Sequence, residues 1–218
     1  MRTIWIYFWD IPYATSLHIN PYDDMVKYAL KNKDWQTYFG YLLYQNTHKK
    51  ILQGANLVIG VYNYINRYAN KLELANYKTL YNIINPKGLL IKKDYNISEN
   101  VKIIIIGRQF EQKDPSPLIE SISLIPNSQL TLIGDGKIHD DLVKLAVNLG
   151  IENRCIFKRK VSNDYLVKNL RDYDILVSIN YYGGISKVEL EGSFIGMPII
   201  TNIHPDEEKP EILGENCI

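Results

Sequence analysis

Residues 103–106 are four consecutive isoleucines, set in the run VKIIIIGRQFEQKDPSPLIESISLIPNSQLTLIGDG at 101–136. A strand that is apolar at every position, not every second one, suits a sheet covered on both faces. Gly107 and Arg108 end that strand, and Lys113 follows five places after the arginine. A helical stretch comes next. A second apolar strand then ends at Gly134, Asp135 and Gly136. This strand–loop–helix–strand order is the unit of a parallel sheet, and it puts two cations at the carboxyl edge of its first strand.

The alternation continues to the end of the chain. Strands are predicted at 101–106, 129–133, 154–158, 174–179 and 198–201, with helices at about 115–124, 137–149, 163–171 and 185–196. Strands alternating with helices of this length indicate a parallel α/β sheet. Before residue 85 the pattern is looser. Strands are predicted at 3–9, 55–63 and near 79–84, with helices over about 21–32, 35–54 and 64–76. The 35–54 helix carries Phe39, Leu42, Leu43 and Ile51 at helical spacing, which predicts a core-facing stripe. Residues 85–100 are polar and turn-rich. The domain expectation is therefore a partial domain at 1–90, a linker at 91–96 and a Rossmann-like sheet domain at 97–218.

Composition excludes several classes. A chain of 218 residues with 46% hydrophobic and 22% charged residues is an ordinary globular protein. Its net charge of +1 makes no whole-chain case for nucleic acid or an anionic membrane. Cys155 and Cys217 form no disulfide framework, and no run approaches a membrane span. The opening residues lack a cleavable signal, so a cytoplasmic setting is expected. His18, His48, His139 and His204 show no metal-ligand spacing. Walker, G-x-S-x-G and G-x-G-x-x-G patterns are absent.

Three places can carry chemistry. Arg108 offers a planar fork of donors and Lys113 a point charge, both suited to phosphate oxygens beside Gly107; two solvated surface cations are the plainer alternative. Gly134 and Gly136 allow a close backbone approach where the next helix begins, or simply a tight turn. Gly184, Ile185, Ser186 and Lys187 open a helix whose first amides and dipole favour an anion. Glu191 follows Gly184 by seven residues and shares its helix face. It is placed to accept hydrogen bonds from sugar hydroxyls, whereas Glu189 is expected to face elsewhere.

Together these segments resemble the retaining glycosyltransferases of the GT-B fold, glycosyltransferase family 4, also called glycosyl transferases group 1. The segment at 103–136 is similar to that family's strand with Gly-Arg, the following lysine and the Gly-Asp-Gly turn. The segment VKNLRDYDILVSINYYGGISKVELEGSFIGMPIITN resembles its donor-site helix, and ILQGANLVIGVYNYIN the end of its N-terminal domain. The resemblance implies that Arg108 and Lys113 hold the diphosphate of a UDP- or GDP-sugar without a metal ion or other cofactor. It implies that loop 184–187 cradles the same phosphates, that Glu191 holds the ribose and that stretch 157–161 lies along the base. The implied partners are the nucleotide sugar and a glycan or lipid-linked acceptor, as in polysaccharide biosynthesis. Nucleic acid is not implied. A contact with the inner face of the membrane and a homo-oligomer or complementing chain both fit.

The chain also departs from that pattern. Gly183 stands where the first glutamate of the family's pair is expected, Arg159 where a glycine is usual, and Trp9 precedes Asp10 in place of a histidine. The resemblance implies a middle-to-C-terminal portion of a longer enzyme. Two rival functions follow: a nucleotide-sugar-binding subunit that does no chemistry, and a Rossmann-like protein of another activity.

Overall fold

The structure, a computed structural model, describes residues 12–18, 26, 29–97, 99–180 and 184–202. The strand expected at 3–9 and most of the helix expected at 21–32 lie outside them. The chain divides into two compact units, with the break between Ile83 and Ile84.

The first unit contains β1 (Ala14–Leu17), α1 (Trp35–Gly54), β2 (Leu57–Gly60), α2 (Ile65–Lys71) and β3 (Tyr77–Thr79). The strands form a parallel sheet in the order β1-β2-β3. Asp34 starts α1 by accepting the Thr37 N–H, so the predicted helix boundary holds. Leu52, Val58 and Ile65 are buried at the centre of this unit.

Three expectations need correction. The strand at 14–17 was not foreseen. Helix α2 stops at Lys71, because Glu73 has a φ of 53° and Leu74 turns back to the Ala69 carbonyl; β3 accordingly falls upstream of 79–84. Phe39 and Leu43 are not core residues. Helix α1 buries the opposite side, through Tyr41, Ile51 and Leu52, and leaves Phe39 58% and Leu43 82% exposed.

The second unit contains β4 (Val101–Ile106), α3 (Ser116–Leu124), β5 (Ser128–Ile133), α4 (His139–Asn148), β6 (Cys155–Lys158), α5 (Asn163–Asn169), β7 (Ile175–Ser178), α6 (Lys187–Phe194) and β8 (Ile199–Thr201). Its sheet is parallel throughout, in the order β6-β5-β4-β7-β8. The isoleucine block explains the layers. Ile103 and Ile105 pack with Ile119 and Ile122 of α3 and Leu142 and Ala146 of α4. Ile104 faces the other way, onto Leu170 and Ile195. A strand buried on both faces has no polar face, hence the unbroken apolar run. The α/β class and the Rossmann-like parallel sheet are as expected.

The expected linker at 91–96 is instead packed onto this second unit. Lys92 is buried, and its Nζ donates to the carbonyls of Arg171 at 3.1 Å and Tyr173 at 2.8 Å. Its own N–H donates to Ile195 O at 2.8 Å, and Tyr95 Oη donates to Gly196 O at 3.0 Å. These bonds move the boundary from residue 90 to residue 83.

Candidate functional site

In the second sheet, the connections from β4 through β5 to β6 run one way and those from β7 to β8 the other. The order therefore reverses between β4 and β7, and such a point leaves a crevice at the carboxyl ends of the strands. A cleft opens there. Gly107, Arg108, Gln109 and Lys113 line it from the β4 side, Ser178 from the end of β7, and Ser186 from the start of α6.

Local structure sets each group. A Cβ on Gly107 would meet nothing within 4 Å, so the backbone there borders open space. Arg108 is exposed, and its guanidinium carbon sits 5.2 Å from the centre of the Phe110 ring. That contact restricts the arginine without engaging its donors. Lys113 ends a single 3-10 turn, Glu111–Lys113, and its N–H donates to Phe110 O at 2.7 Å. Asp114 then caps the entry to α3 by accepting the Ser116 N–H at 2.9 Å and its hydroxyl at 2.6 Å.

Gly134 and Gly136 turn out to serve packing between loops. A Cβ on Gly134, whose φ is +148°, would fall 1.8 Å from Gly107 O. One on Gly136 would fall 1.9 Å from Gln109 O. The two loops are also joined by Gln109 N–H to Asp135 O at 2.9 Å. Both glycines thus let the β5 loop lie against the β4 loop that carries Arg108. Asp135 accepts the Gly136 N–H and pairs with Arg159 at 2.5 Å, and Arg159 also reaches Asp140 at 2.5 Å. The Gly136 N–H first, and then Arg159, hold the Asp135 carboxyl below its usual range. Arg159 therefore ties the 157–161 stretch to the β5 loop. Phe157 in the same stretch lies edge-on to His139, with ring centres 6.0 Å apart.

The start of α6 differs most from expectation. Ser186 and Glu189 form a capping box: Ser186 Oγ accepts the Glu189 N–H at 3.1 Å, and Glu189 Oε2 accepts the Ser186 N–H at 2.6 Å. The Ser186 amide is thus engaged within the helix start and is not offered to a phosphate. Its hydroxyl still borders the cleft, 3.5 Å from the Ser178 hydroxyl. Glu189 is fully buried and also accepts the Thr201 hydroxyl of β8 at 2.8 Å. Gly184 has a φ of +80°, the left-handed turn that a glycine adopts without strain. Ile185 is buried. Lys187 Nζ lies 3.3 Å from Glu191 Oε1, so these two candidates face each other one turn apart. Gly183 lies outside the described residues.

Gly107, Arg108, Lys113 and Ser186 are therefore brought together, whereas Gly134, Gly136, Lys187 and Glu191 stand around them. Gln109, Ser178 and Glu189 were missed. Gln109 is buried and its Oε1 lies 2.6 Å from His139 Nδ1; no local pattern marks it. Ser178 could be found as a residue at the end of a strand, and Glu189 from the S-x-x-E spacing. Glu189→Ala removes the acceptor of the Ser186 N–H and the shorter bond of the Thr201 hydroxyl, with an expected cost of about 2–4 kcal/mol in urea unfolding. Thr201→Val, which removes the hydroxyl's bond to Glu189 Oε1 at 2.8 Å and its longer contact with Asn202 O at 3.4 Å, is expected to cost about half as much.

Among the described residues, no group of three His, Cys, Asp or Glu side chains is placed to hold a metal ion, and no helix is long and apolar enough to cross a membrane.

Comparison with known proteins now gives the site a context. Residues 89–213, more than half of the chain, match the family described as glycosyl transferases group 1. The chain is 26% identical over 183 residues to N-acetyl-alpha-D-glucosaminyl L-malate synthase of Bacillus anthracis, covering 82% of this chain and 44% of that protein. It is 27% identical over 139 residues to an uncharacterized glycosyltransferase of Methanocaldococcus jannaschii, covering 57% of this chain and 36% of that one. The chain thus spans less than half the length of these curated relatives. Among solved structures, sucrose-phosphate synthase from Thermosynechococcus elongatus superposes with a TM-score of 0.70 at 20% identity, over 86% of this chain and 49% of its own. Anabaena HepE in complex with UDP and glucose does so with a TM-score of 0.69 at 16% identity, over 92% and 55%. These likenesses show the fold, and the family match shows the kinship. With its two parallel-sheet units and the crevice at the switch point, the chain belongs to the glycosyl transferases group 1 family, whose GT-B architecture it shares.

Proposed function

We propose that the second unit binds a nucleotide diphosphate sugar, UDP- or GDP-linked, and that the protein transfers its hexose or N-acetylhexosamine to a glycan or lipid-linked acceptor with retention of anomeric configuration. The observation that carries this reading is the convergence of Gly107, Arg108, Lys113, Ser178 and Ser186 on one cleft at the switch point. Gly107 leaves room for the diphosphate to approach the backbone. Arg108 and Lys113 meet its charge, and the Ser178 and Ser186 hydroxyls add donors. As the bond from the sugar to the diphosphate breaks, negative charge grows on the leaving oxygen, and fixed cations beside it lower the barrier. Glu191, oriented by Lys187, is the candidate for the ribose hydroxyls. Gly184 and Ile185 shape the loop at the helix start, while Gly134 and Gly136 hold the adjacent loop in place.

The relatives support this reading in kind: one HepE structure holds UDP and glucose, and the Bacillus anthracis protein is an N-acetylglucosaminyl L-malate synthase. A second reading, a subunit that binds nucleotide sugar without transferring it, is favoured by Gly183 standing where the resemblance expects a carboxylate.

A thermal-shift screen of UDP-, GDP- and ADP-sugars, followed by a hydrolysis and transfer assay, separates the readings. Stabilisation by one nucleotide sugar, with transfer giving product of the donor's own anomeric configuration, is the expected outcome. Binding without transfer, combined with tighter sugar-dependent binding by Gly183→Glu, selects the second reading. No stabilisation by any of them contradicts both.

A further inference from the structure

Gln109 and His139 are a buried polar pair behind the cleft, 3% and 5% exposed. Gln109 Oε1 lies 2.6 Å from His139 Nδ1, across 30 residues of chain. An amide oxygen only accepts, so Nδ1 carries the proton. Burying two polar side chains is costly unless each satisfies the other, as these do.

Gln109 is fastened to the turn into α4 at three points. Its N–H donates to Asp135 O at 2.9 Å, its carbonyl accepts the Ile138 N–H at 3.4 Å, and its side chain accepts from His139. His139 is itself seated. Its N–H donates to Gly136 O at 3.2 Å, and its ring meets Phe157 of β6 edge-on. The consequence falls on Arg108. Arg108 is exposed at the cleft, whereas its neighbour Gln109 is turned inward. Rotating this stretch of backbone to swing Arg108 out of the cleft would pull Gln109 off His139. Phe110 restrains the guanidinium, but it belongs to the same loop and cannot fix that loop against the sheet. The Gln109–His139 bond does so from α4.

We infer that Gln109 and His139 are positioning residues for the diphosphate: their buried hydrogen bond fixes the loop that presents Arg108 to the cleft, and they act on the ligand through Arg108. The inference rests on the reading of the cleft as a nucleotide diphosphate site.

The test is calorimetric titration of UDP, GDP and their nucleosides, alongside urea unfolding of each variant. Gln109→Leu should weaken diphosphate binding about three- to thirtyfold with nucleoside affinity unchanged, and in an Arg108→Ala background it should cost no more than about twofold. His139→Phe, which keeps a ring against Phe157 but has no donor, should behave as Gln109→Leu does. His139→Asn, whose amide can donate from near the place of Nδ1, should recover most of the affinity. The paired change Gln109→Leu with His139→Phe leaves no polar group unmatched, so it should regain stability over either single variant without regaining affinity. Diphosphate affinity restored together with stability in that pair would overturn the inference, because the bond would then serve packing alone. A loss of full size in the Arg108→Ala background, or a His139→Asn variant as impaired as His139→Phe, also overturns it. If the wild type binds a diphosphate and Gln109→Leu binds it equally, the inference fails and the cleft reading stands. No diphosphate binding by the wild type removes both.

Discussion

Arg108→Ala is expected to weaken binding of a nucleoside diphosphate by about ten- to hundredfold, the worth of one or two hydrogen bonds to a charged group. The expectation rests on where the side chain stands. Arg108 lies two residues beyond the end of β4, lines the switch-point cleft, and is restrained by Phe110 through its ring face. Its planar fork can address two phosphate oxygens at once, so Arg108→Lys should recover only part of the loss. Because Arg108 is exposed, neither variant should alter the unfolding midpoint by more than about 0.5 kcal/mol in equivalent stability. Lys113→Ala should add to the deficit, and the double variant should show no measurable diphosphate binding. Calorimetric titration alongside urea unfolding separates these outcomes. Lost affinity with unchanged stability is the signature of a ligand contact. Parallel loss of both would mean that the loop had rearranged.

Gly134→Ala should destabilise the second unit by more than about 3 kcal/mol, from the strain of a positive φ and the overlap of a new methyl group with backbone. The methyl carbon would lie 1.8 Å from Gly107 O, which cannot move aside without disturbing the Gly107 N–H bond to Ile133 O at 2.9 Å. The neighbouring bond, Gly134 N–H to Lys158 O at 2.8 Å, resists movement of the other partner. Gly150→Ala is the control. Its φ is +67°, yet nothing lies within 4 Å of the added carbon, so only the backbone strain of about 1–2 kcal/mol is expected. A difference between the two variants in urea unfolding measures the crowding by itself. Gly134→Ala should also reduce ligand binding, since the loop it displaces is the one that carries Arg108. Equal stability losses in the two variants would contradict the packing account.

The second unit was largely legible in the sequence, and the reason is physical. A strand buried on both faces writes an unbroken apolar run, so β4 was found to the residue. The alternation of strands and helices then fixed the parallel class. The first unit was less legible because its signals are weak or misleading. Glu73 ends the helical path of α2 with a positive φ that glycine or asparagine would normally announce. Phe39 and Leu43 have the spacing of a core stripe, yet they lie on the far side of α1 from Tyr41 and Leu52. Spacing reports that a face exists, not which neighbour covers it. At the site, Arg108 and Lys113 were readable as cations after a strand. The role of Gly134 and Gly136 was not, because it depends on the loop after β4, some 27 residues earlier in the case of both Gly107 with Gly134 and Gln109 with Gly136. Glu189 was half legible: its bond to Ser186 follows from local spacing, whereas its bond to Thr201 comes from a strand that the chain reaches only later.

The central claim, that the β4–β7 cleft is a diphosphate site, is tested most directly by titrating UDP, GDP and their nucleosides into the wild type and Arg108→Ala. The account predicts that one diphosphate binds at least about tenfold more tightly than its nucleoside, and that Arg108→Ala removes most of this difference while leaving nucleoside affinity unchanged. Diphosphate and nucleoside binding with equal affinity, or a difference that survives in Arg108→Ala, would contradict it.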